Sequence, residues 1–334
     1  MTSHIQGAKW VPYGQFDGKG MVARLFYYCT DLGHEGVTFF FVLSGFLVGG
    51  KVLERTLNGT IDVRSYALDR ATRIYLPLIP ALILTAVLNF VTGAHPFSPM
   101  VFVGNLVGLQ SVLSFIPAYP GDTPLWTLAY EMWFYVLAGL VAVICVGIGR
   151  AKVFALIGAT AIFAIFTRLF PHMLFCWCLG ALGYRLIGIG KSWLFAGSTL
   201  ALAGLALFKY ADYNKSELGS FLSSGFAATL VMSLGLTIAL PCVVQLKPRS
   251  ELAAKFEDLG SKLAAFSYTL YLTHFPIMLF WQKCQPEKFA TLDGRSLGWY
   301  AVECASCLLI AWIIYLPCEA QTKRVRRFLS PKRP

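Results

Sequence analysis

Apolar stretches of span length recur along this chain, and they restrict it to folds that exist in a lipid bilayer. A helix needs about 20 apolar residues to cross a hydrocarbon core of about 30 Å. Of the 334 residues, 57% are hydrophobic and only 13% are charged, whereas soluble domains are about 25% charged. The sequence therefore predicts an all-α, polytopic transmembrane helix bundle.

Nine stretches of the sequence are apolar enough to be membrane spans. They cover residues 35–53, 74–93, 127–147, 152–170, 173–188, 192–209, 223–245, 265–283 and 297–317. The two stretches that meet at Pro171 can also be read as one broken helix. Residues 100–115 are apolar but short and lie between Pro99 and Pro117, which favours a re-entrant or interfacial helix.

Several other functional classes do not fit the residue pattern. Residues 1–19 lack the apolar centre of a signal peptide. Cys176 and Cys178 fall on different helix faces, and Cys304 and Cys307 have no histidine nearby, so the cysteines are predicted to pack, with no metal site and no bound cofactor. The net charge of +11 is spread over the loops between spans, which argues against a nucleic-acid partner.

The basic residues predict the orientation of the chain. One set of loops, together with the tail, holds 19 of the 28 Lys and Arg residues, and the long loop 94–125 on the other side holds none. Basic loops stay in the cytoplasm, so the C-terminus is predicted to be cytoplasmic. With nine spans, residues 1–33 then lie outside. Either a first span preceded Met1, or a short tail crosses unaided.

Ionisable residues within spans are functional candidates because they are costly there. Glu131 lies about one turn into a span that begins on the outer side; it orients a reacting group or simply caps its helix. His34 and Glu35 begin another span, where His34 is either catalytic or interfacial. His274 lies just before Pro276, and either takes part in the chemistry or satisfies polar groups in the bundle. Glu303, in the last span, has no partner that the sequence identifies.

Small residues around Ser44 are predicted to let helices approach closely. Gly45, Gly49 and Gly50 follow this serine, and small residues are common where membrane helices pack. A nucleophilic role for Ser44 needs an adjacent base and a strained turn. The sequence shows neither of these features, so packing is the favoured interpretation.

Four segments of the chain resemble the acyltransferase-3 family, whose polytopic members O-acylate surface polysaccharides and related glycans. They are residues 36–47 (GVTFFFVLSGFL), 70–77 (RATRIYLP), 126–135 (WTLAYEMWFY) and 267–276 (SYTLYLTHFP). Each segment is weakly specific alone, but the four occur in the family's order. They cover the chain from about residue 33 to its end.

The resemblance implies ten spans, the first carrying an arginine about three helical turns before a catalytic histidine. Residues 3–6 (SHIQ) are similar to the end of that span, which matches His4 to the catalytic histidine. His34 is the other candidate. We therefore expect residues 1–33 to be an outer segment and remnant of a first span, 34–318 the transmembrane acyltransferase domain, and 319–334 a basic cytoplasmic tail.

The implied reaction moves an acyl group, with acetyl expected, from acyl-CoA to a carbohydrate hydroxyl at a bacterial inner membrane. His4 is predicted to be the general base, with Glu131 orienting the imidazole or the sugar. Arg70 and Arg73 either hold CoA phosphates or only keep their end of the span in the cytoplasm, as basic residues do. Of the remaining motif residues, Trp126, Tyr135 and His274 are predicted to contact substrate.

Two questions stay open from the sequence. The loop 94–125 is rich in Pro, Phe and Tyr, and either stacks on sugar or seals the site from water. The competing functional class is a transporter or a non-catalytic membrane protein, although the internal repeats common in transporters are not found.

Overall fold

The computed structural model describes residues 1–17, 20–169, 171–213, 225–248 and 250–330. Within these ranges the regular structure is helical, apart from one isolated bridge between Trp10 and Phe289. The all-α prediction is therefore confirmed. Residues 170 and 223–224, at the ends of two predicted spans, lie outside the described residues, as do the basic residues Arg249, Lys332 and Arg333.

The described helices of the first half of the chain range from 8 to 30 residues, and α5 and α7 are the longest. They are α1 (Thr2–Lys9), α2 (Met21–Thr30), α3 (Gly33–Ser44), α4 (Gly50–Leu57), α5 (Val63–Thr92), α6 (Pro99–Leu106) and α7 (Trp126–Val146). A π-helical turn, Gly45–Gly49, joins α3 to α4 without a break.

The described helices of the second half have 13 to 22 residues, apart from a short basic helix at the end. Its helices are α8 (Arg150–Phe166), α9 (Pro171–Gly183), α10 (Trp193–Tyr213), α11 (Phe226–Val243), α12 (Glu251–Ala265), α13 (Ser267–Cys284), α14 (Gly294–Tyr315) and α15 (Thr322–Leu329).

Each predicted span coincides with helical structure, but the count of nine is not confirmed. In the described part of the chain, six helical segments are long and apolar enough to cross a membrane, and α12 with α13 makes a seventh if that bent pair is one span. These two helices meet at 61°. The helices α8 and α9 have 17 and 13 residues, somewhat below the usual crossing length of about 20 residues.

The predicted re-entrant or interfacial helix at residues 100–115 forms only in its first half. Ser98 caps α6, its hydroxyl accepting a hydrogen bond from the Val101 amide at 3.4 Å. The helix ends at Leu106. Beyond it the chain turns back on itself, because the Asn105 amide donates to the carbonyls of Val101 and Pro117, both at 2.9 Å.

The chain divides into two compact units. Unit 1 comprises Met1–Gly33, Leu68–Ala129 and Ser250–Pro334, and unit 2 comprises His34–Ala67 and Tyr130–Arg249. In unit 1, Ile5 of α1 is fully buried and packs with Ile277, Met278 and Cys307. This contact attaches α1 to α13 and α14, so the segment that carries His4 belongs to the helical core of unit 1.

In unit 2 the predicted close approach of helices around Ser44 is confirmed. A Cβ atom on Gly45 would lie 1.9 Å from the carbonyl oxygen of Trp177, and one on Gly180 would lie 2.0 Å from that of Val42. Both distances are far inside van der Waals contact. The backbones of α3 and α9 therefore touch at positions where only glycine fits.

Candidate active site

Lys9 fixes the C-terminal end of α1 inside unit 1. Its ammonium lies 2.7 Å from a carboxylate oxygen of Glu303, and both side chains are 0% exposed. The same ammonium donates to the backbone carbonyl and the side-chain oxygen of Gln285, at 3.2 and 3.1 Å. A buried cation needs this number of partners, so Lys9 holds α1 against α13 and α14. It is the partner that the sequence could not identify for Glu303.

One turn before Lys9, α1 brings His4 against His274 of α13. The His4 Nδ1 atom lies 2.9 Å from His274 Nε2. The two rings are nearly parallel, with centroids 5.1 Å apart and planes inclined by 14°. Phe275 meets the His4 ring edge-on at 5.3 Å. Two candidates that lie 270 residues apart in sequence thus form one pair.

Backbone carbonyls of the preceding helical turn hold the far side of His274. Its Nδ1 atom lies 2.8 Å from the carbonyl oxygen of Tyr271 and 3.2 Å from that of Leu270. His274 is only 2% exposed, whereas His4 is half-buried. Of the two rings, His4 is therefore the one more open to a substrate.

Tyr271 connects this region to the beginning of α7 within unit 1. Its hydroxyl hydrogen-bonds to the Pro124 carbonyl and to the Thr127 hydroxyl. The Tyr271 ring lies 6.1 Å from that of His274. Trp126, predicted to contact substrate, is the half-buried first residue of α7.

The predicted CoA-binding arginines lie on α5, and both form ion pairs. Arg73 lies 2.6 Å from Glu319 and over the ring of Tyr268. Arg70 lies 2.5 Å from Asp69, a carboxylate that Arg326 of α15 also reaches at 2.7 Å. The Arg73 side chain is still 41% exposed, so a ligand phosphate can reach it. Their assignment to CoA stays a prediction.

In unit 2, Glu131 belongs to a buried hydrogen-bonded network. The Tyr135 hydroxyl donates to the Glu131 carboxylate at 2.5 Å and lies 3.2 Å from the Ser44 hydroxyl. The Trp177 indole also donates to Ser44. Because Glu131 lies beyond the first turn of α7, it does not cap that helix. Tyr135, predicted to contact substrate, is one of its hydrogen-bond partners, and the packing role of Ser44 stays a prediction.

His34, the alternative catalytic histidine, is the exposed second residue of α3 in unit 2. Its neighbour Glu35 is buried and pairs with Lys209 at 3.0 Å. His4 and His34 therefore belong to different units. Only His4 has a second histidine as a hydrogen-bond partner among the bonds that these described residues form.

Within the loop 94–125, ordered polar contacts hold the chain in place. The Asn89 amide donates to the Pro120 carbonyl at 2.7 Å, and the Gln110 amide donates to the Leu125 carbonyl at 3.0 Å. Asp122 is 0% exposed, and neither carboxylate oxygen has a hydrogen-bond partner among the described residues. Burial raises the pKa of Asp122 well above its ordinary value. Neither predicted role of the loop is tested by these contacts.

A cavity of about 480 Å³ opens in unit 1 between the end of α5, His95 and the second half of α13. Its α13 lining includes Pro276, Leu279, Phe280 and Lys283. In a helix, positions three and four apart share a face. His274 lies on the other face of α13, with Ile277 and Met278 that pack against α1, so this cavity does not adjoin the histidine pair.

Sequence reasoning missed Lys9, Tyr271 and Glu319 as residues that position the candidates. Glu319 accepts hydrogen bonds from the backbone amide and hydroxyl of Thr269 at 3.1 and 2.6 Å while it pairs with Arg73. For Lys9 and Glu319 the sequence did contain a signal, because a charged side chain near a membrane is costly unless it has a partner. Across the described part of the chain, no group of three His, Cys, Asp or Glu side chains is placed to hold a metal ion.

Comparison with known proteins places the chain in a family. The family model described as an acyltransferase domain, that of the acyltransferase-3 family, matches residues 3–316. No curated protein and no solved structure matches the chain. The matched segment includes all four motifs and the histidine pair. The chain therefore belongs to the acyltransferase-3 family, and it is an integral membrane acyltransferase.

Proposed function

We propose that this protein transfers an acyl group, acetyl in the first instance, from acyl-CoA to a carbohydrate hydroxyl, with His4 as the general base. The observation that supports this most directly is the His4–His274 pair. A half-buried imidazole, held at 2.9 Å by a second and buried imidazole, is a base in a fixed position, as general-base catalysis requires.

The proposed chemistry is a direct acyl transfer. A sugar hydroxyl is a poor nucleophile at neutral pH, so His4 takes its proton as the oxygen attacks the thioester carbonyl. The new ester C–O bond forms, the C–S bond breaks, and the CoA thiolate receives the proton that His4 removed. A positioned histidine accelerates such a step by about 10² to 10⁴.

Arg70 and Arg73 are the proposed donor-binding residues. Guanidinium groups bind phosphates through charge-assisted hydrogen bonds, and the Arg73 side chain is 41% exposed beside its partner Glu319. The ion pair with Glu319 keeps Arg73 in one place before the donor arrives. The competing role, a topology signal at the beginning of a span, predicts no effect on the KM for acyl-CoA.

Glu131 is proposed to orient the acceptor sugar or the catalytic imidazole. Its carboxylate is buried and accepts a hydrogen bond from the Tyr135 hydroxyl at 2.5 Å, which holds the side chain in one position. We further propose that the protein lies in a bacterial inner membrane with its C-terminus in the cytoplasm. Acyl-CoA then binds from the cytoplasm, and the glycan reaches His4 from outside.

The test uses the full chain reconstituted in lipid nanodiscs with radiolabelled acetyl-CoA, longer acyl-CoA donors and a panel of glycans. We expect label to appear in a base-labile ester on a saccharide, and His4→Ala to lower kcat by about 10² to 10⁴. His95→Ala is the matched control, because His95 is an exposed histidine outside the pair. Glu131→Gln tests the acceptor role through the KM for the glycan.

Two results would overturn this assignment. The first is a wild-type protein that esterifies no saccharide with any donor. The second is full activity after His4 and His34 are both replaced by alanine. Uptake of a labelled solute by proteoliposomes, without acyl transfer, would instead identify the competing class, a transporter.

A further inference from the structure

We propose that His274 is a positioning residue that holds neutral His4 in the tautomer with the proton on Nδ1, so that Nε2 of His4 is the basic atom. The catalytic part of this inference rests on the proposed function, and the hydrogen-bond assignment does not.

The backbone determines which nitrogen of His274 carries a proton. Its Nδ1 atom faces the carbonyl oxygens of Tyr271 and Leu270, at 2.8 and 3.2 Å. A carbonyl oxygen can only accept a hydrogen bond, so Nδ1 of His274 must be the donor. Both carbonyls belong to the same helix as His274, and this arrangement is therefore maintained whenever α13 is folded.

The tautomer of His274 then determines that of His4. A neutral imidazole carries a single N–H, so Nε2 of His274 is an acceptor once its proton is on Nδ1. This acceptor lies 2.9 Å from Nδ1 of His4, which must therefore donate. In the neutral His4 ring, Nε2 is then the nitrogen that carries no proton.

Packing keeps the two rings in this relation. His274 is 2% exposed, the ring planes are inclined by only 14°, and Phe275 closes one edge of His4 at 5.3 Å. The buried Lys9–Glu303 pair holds the far end of α1. Rotation of His4 about its own side-chain bonds would break the hydrogen bond and the stack together.

This geometry suits a base that must change charge during the reaction. When Nε2 of His4 takes the hydroxyl proton, the ring becomes an imidazolium whose Nδ1–H already points at a lone pair. His274 stays neutral and keeps its own proton on Nδ1, so no second proton has to move.

The alternative is a purely structural pair, in which two histidines only fasten α1 to α13. In that case the tautomer of His4 would be immaterial to turnover. Any replacement that keeps α1 docked would then preserve the reaction. The two possibilities therefore differ in the tautomer of His4 and in the variants that retain kcat.

The first measurement reads the tautomer directly and needs no activity. The full chain, labelled with ¹⁵N-histidine and reconstituted in nanodiscs, contains five histidines, and the signals of His4 are those that His4→Ala removes. We expect a protonated Nδ1 and an unprotonated Nε2 for neutral His4 in the wild type. The reverse tautomer would overturn the proposal.

The second measurement separates positioning from packing. His274→Phe keeps a ring for His4 to stack on but removes the acceptor, while His274→Gln places an amide oxygen near the former Nε2 position. We expect His274→Phe to lower kcat about 10- to 100-fold, as loss of an orienting partner typically does, with the KM for acyl-CoA unchanged. His274→Gln should recover most of that loss.

Wild-type kcat in His274→Phe, or equal loss in both variants, would refute the positioning role. If wild-type protein acylates no saccharide while His4 has the expected tautomer, the proposed function fails and the hydrogen-bond assignment stands. The two failures are therefore distinguishable.

Discussion

Replacing Lys9 with methionine should destabilise the protein strongly, because it leaves the carboxylate of Glu303 buried without its cation. Both side chains are 0% exposed, and their charged atoms are 2.7 Å apart. Breaking a fully buried pair on one side costs about 3 to 5 kcal/mol. Lys9 also loses its hydrogen bonds to Gln285, so we expect the upper part of that range.

The measurement is the free energy of unfolding of the purified chain in mixed micelles, followed by loss of helical circular dichroism as the fraction of denaturing detergent rises. The matched control is Lys262→Met. Lys262 pairs with Asp258 at 2.6 Å, but the side chains are 69% and 63% exposed. Exposed pairs contribute about 0 to 1 kcal/mol, so this variant should unfold almost as the wild type does.

The double variant Lys9→Met with Glu303→Leu separates the buried charge from the lost packing. An apolar pair of similar volume often replaces a buried ion pair without loss of stability, so the double variant should recover most of what Lys9→Met loses. Two results would refute the reasoning. One is a Lys9→Met protein as stable as the wild type, and the other is a double variant no more stable than the single one.

Three further perturbations test other parts of the structure. Gly180→Ala should misfold unit 2 or cost at least about 3 kcal/mol, measured by the same unfolding assay, because its Cβ atom would lie 2.0 Å from the Val42 carbonyl oxygen. Arg73→Lys should raise the KM for acyl-CoA about tenfold with little change in kcat, since an ammonium lacks the planar fork of donors with which a guanidinium binds a phosphate bidentately. An unchanged KM would favour the topology role. Burial raises the pKa of Asp122, so the folded state holds this proton. The stability that this carboxyl group contributes is therefore fully present below its ordinary pKa of 3.8 and is lost as the pH rises toward its higher pKa in the folded state. In that pH window, the free energy of unfolding of the wild type should fall more steeply than that of Asp122→Asn, by about 1.4 kcal/mol per pH unit. Parallel pH profiles would contradict this.

The span-length helices were predictable from the sequence because apolar length is a strong local signal. The close approach of helices around Gly45 was also predictable, because the small residues that permit it are adjacent in the sequence. The helices α2 and α12 were missed because a search for apolar length passes over amphipathic segments. In α12, Leu252, Phe256 and Leu259 recur with helical spacing, and that periodicity would have found the helix.

The partners of the buried charges were not predictable, because each is distant in sequence. Lys9 and Glu303 lie on different helices at opposite ends of the chain, and residues 1–33 were interpreted as an outer segment. His4 and His274 are also distant in sequence, at 270 residues apart. Both histidines were candidates from the sequence, but only folding shows that they form a pair.

The chemistry of the partners separates structural polar groups from functional ones in this protein. Glu303 pairs with Lys9 and Glu35 with Lys209, and in each pair opposite charges cancel, which is reason enough for a helix bundle to contain them. The contact of His4 with a second histidine cancels no charge, because both rings are bases. Two apolar side chains would pack α1 against α13 at lower cost. A pair that cancels no charge, yet fixes the tautomer of one ring, supports the proposed role of His4 as the general base.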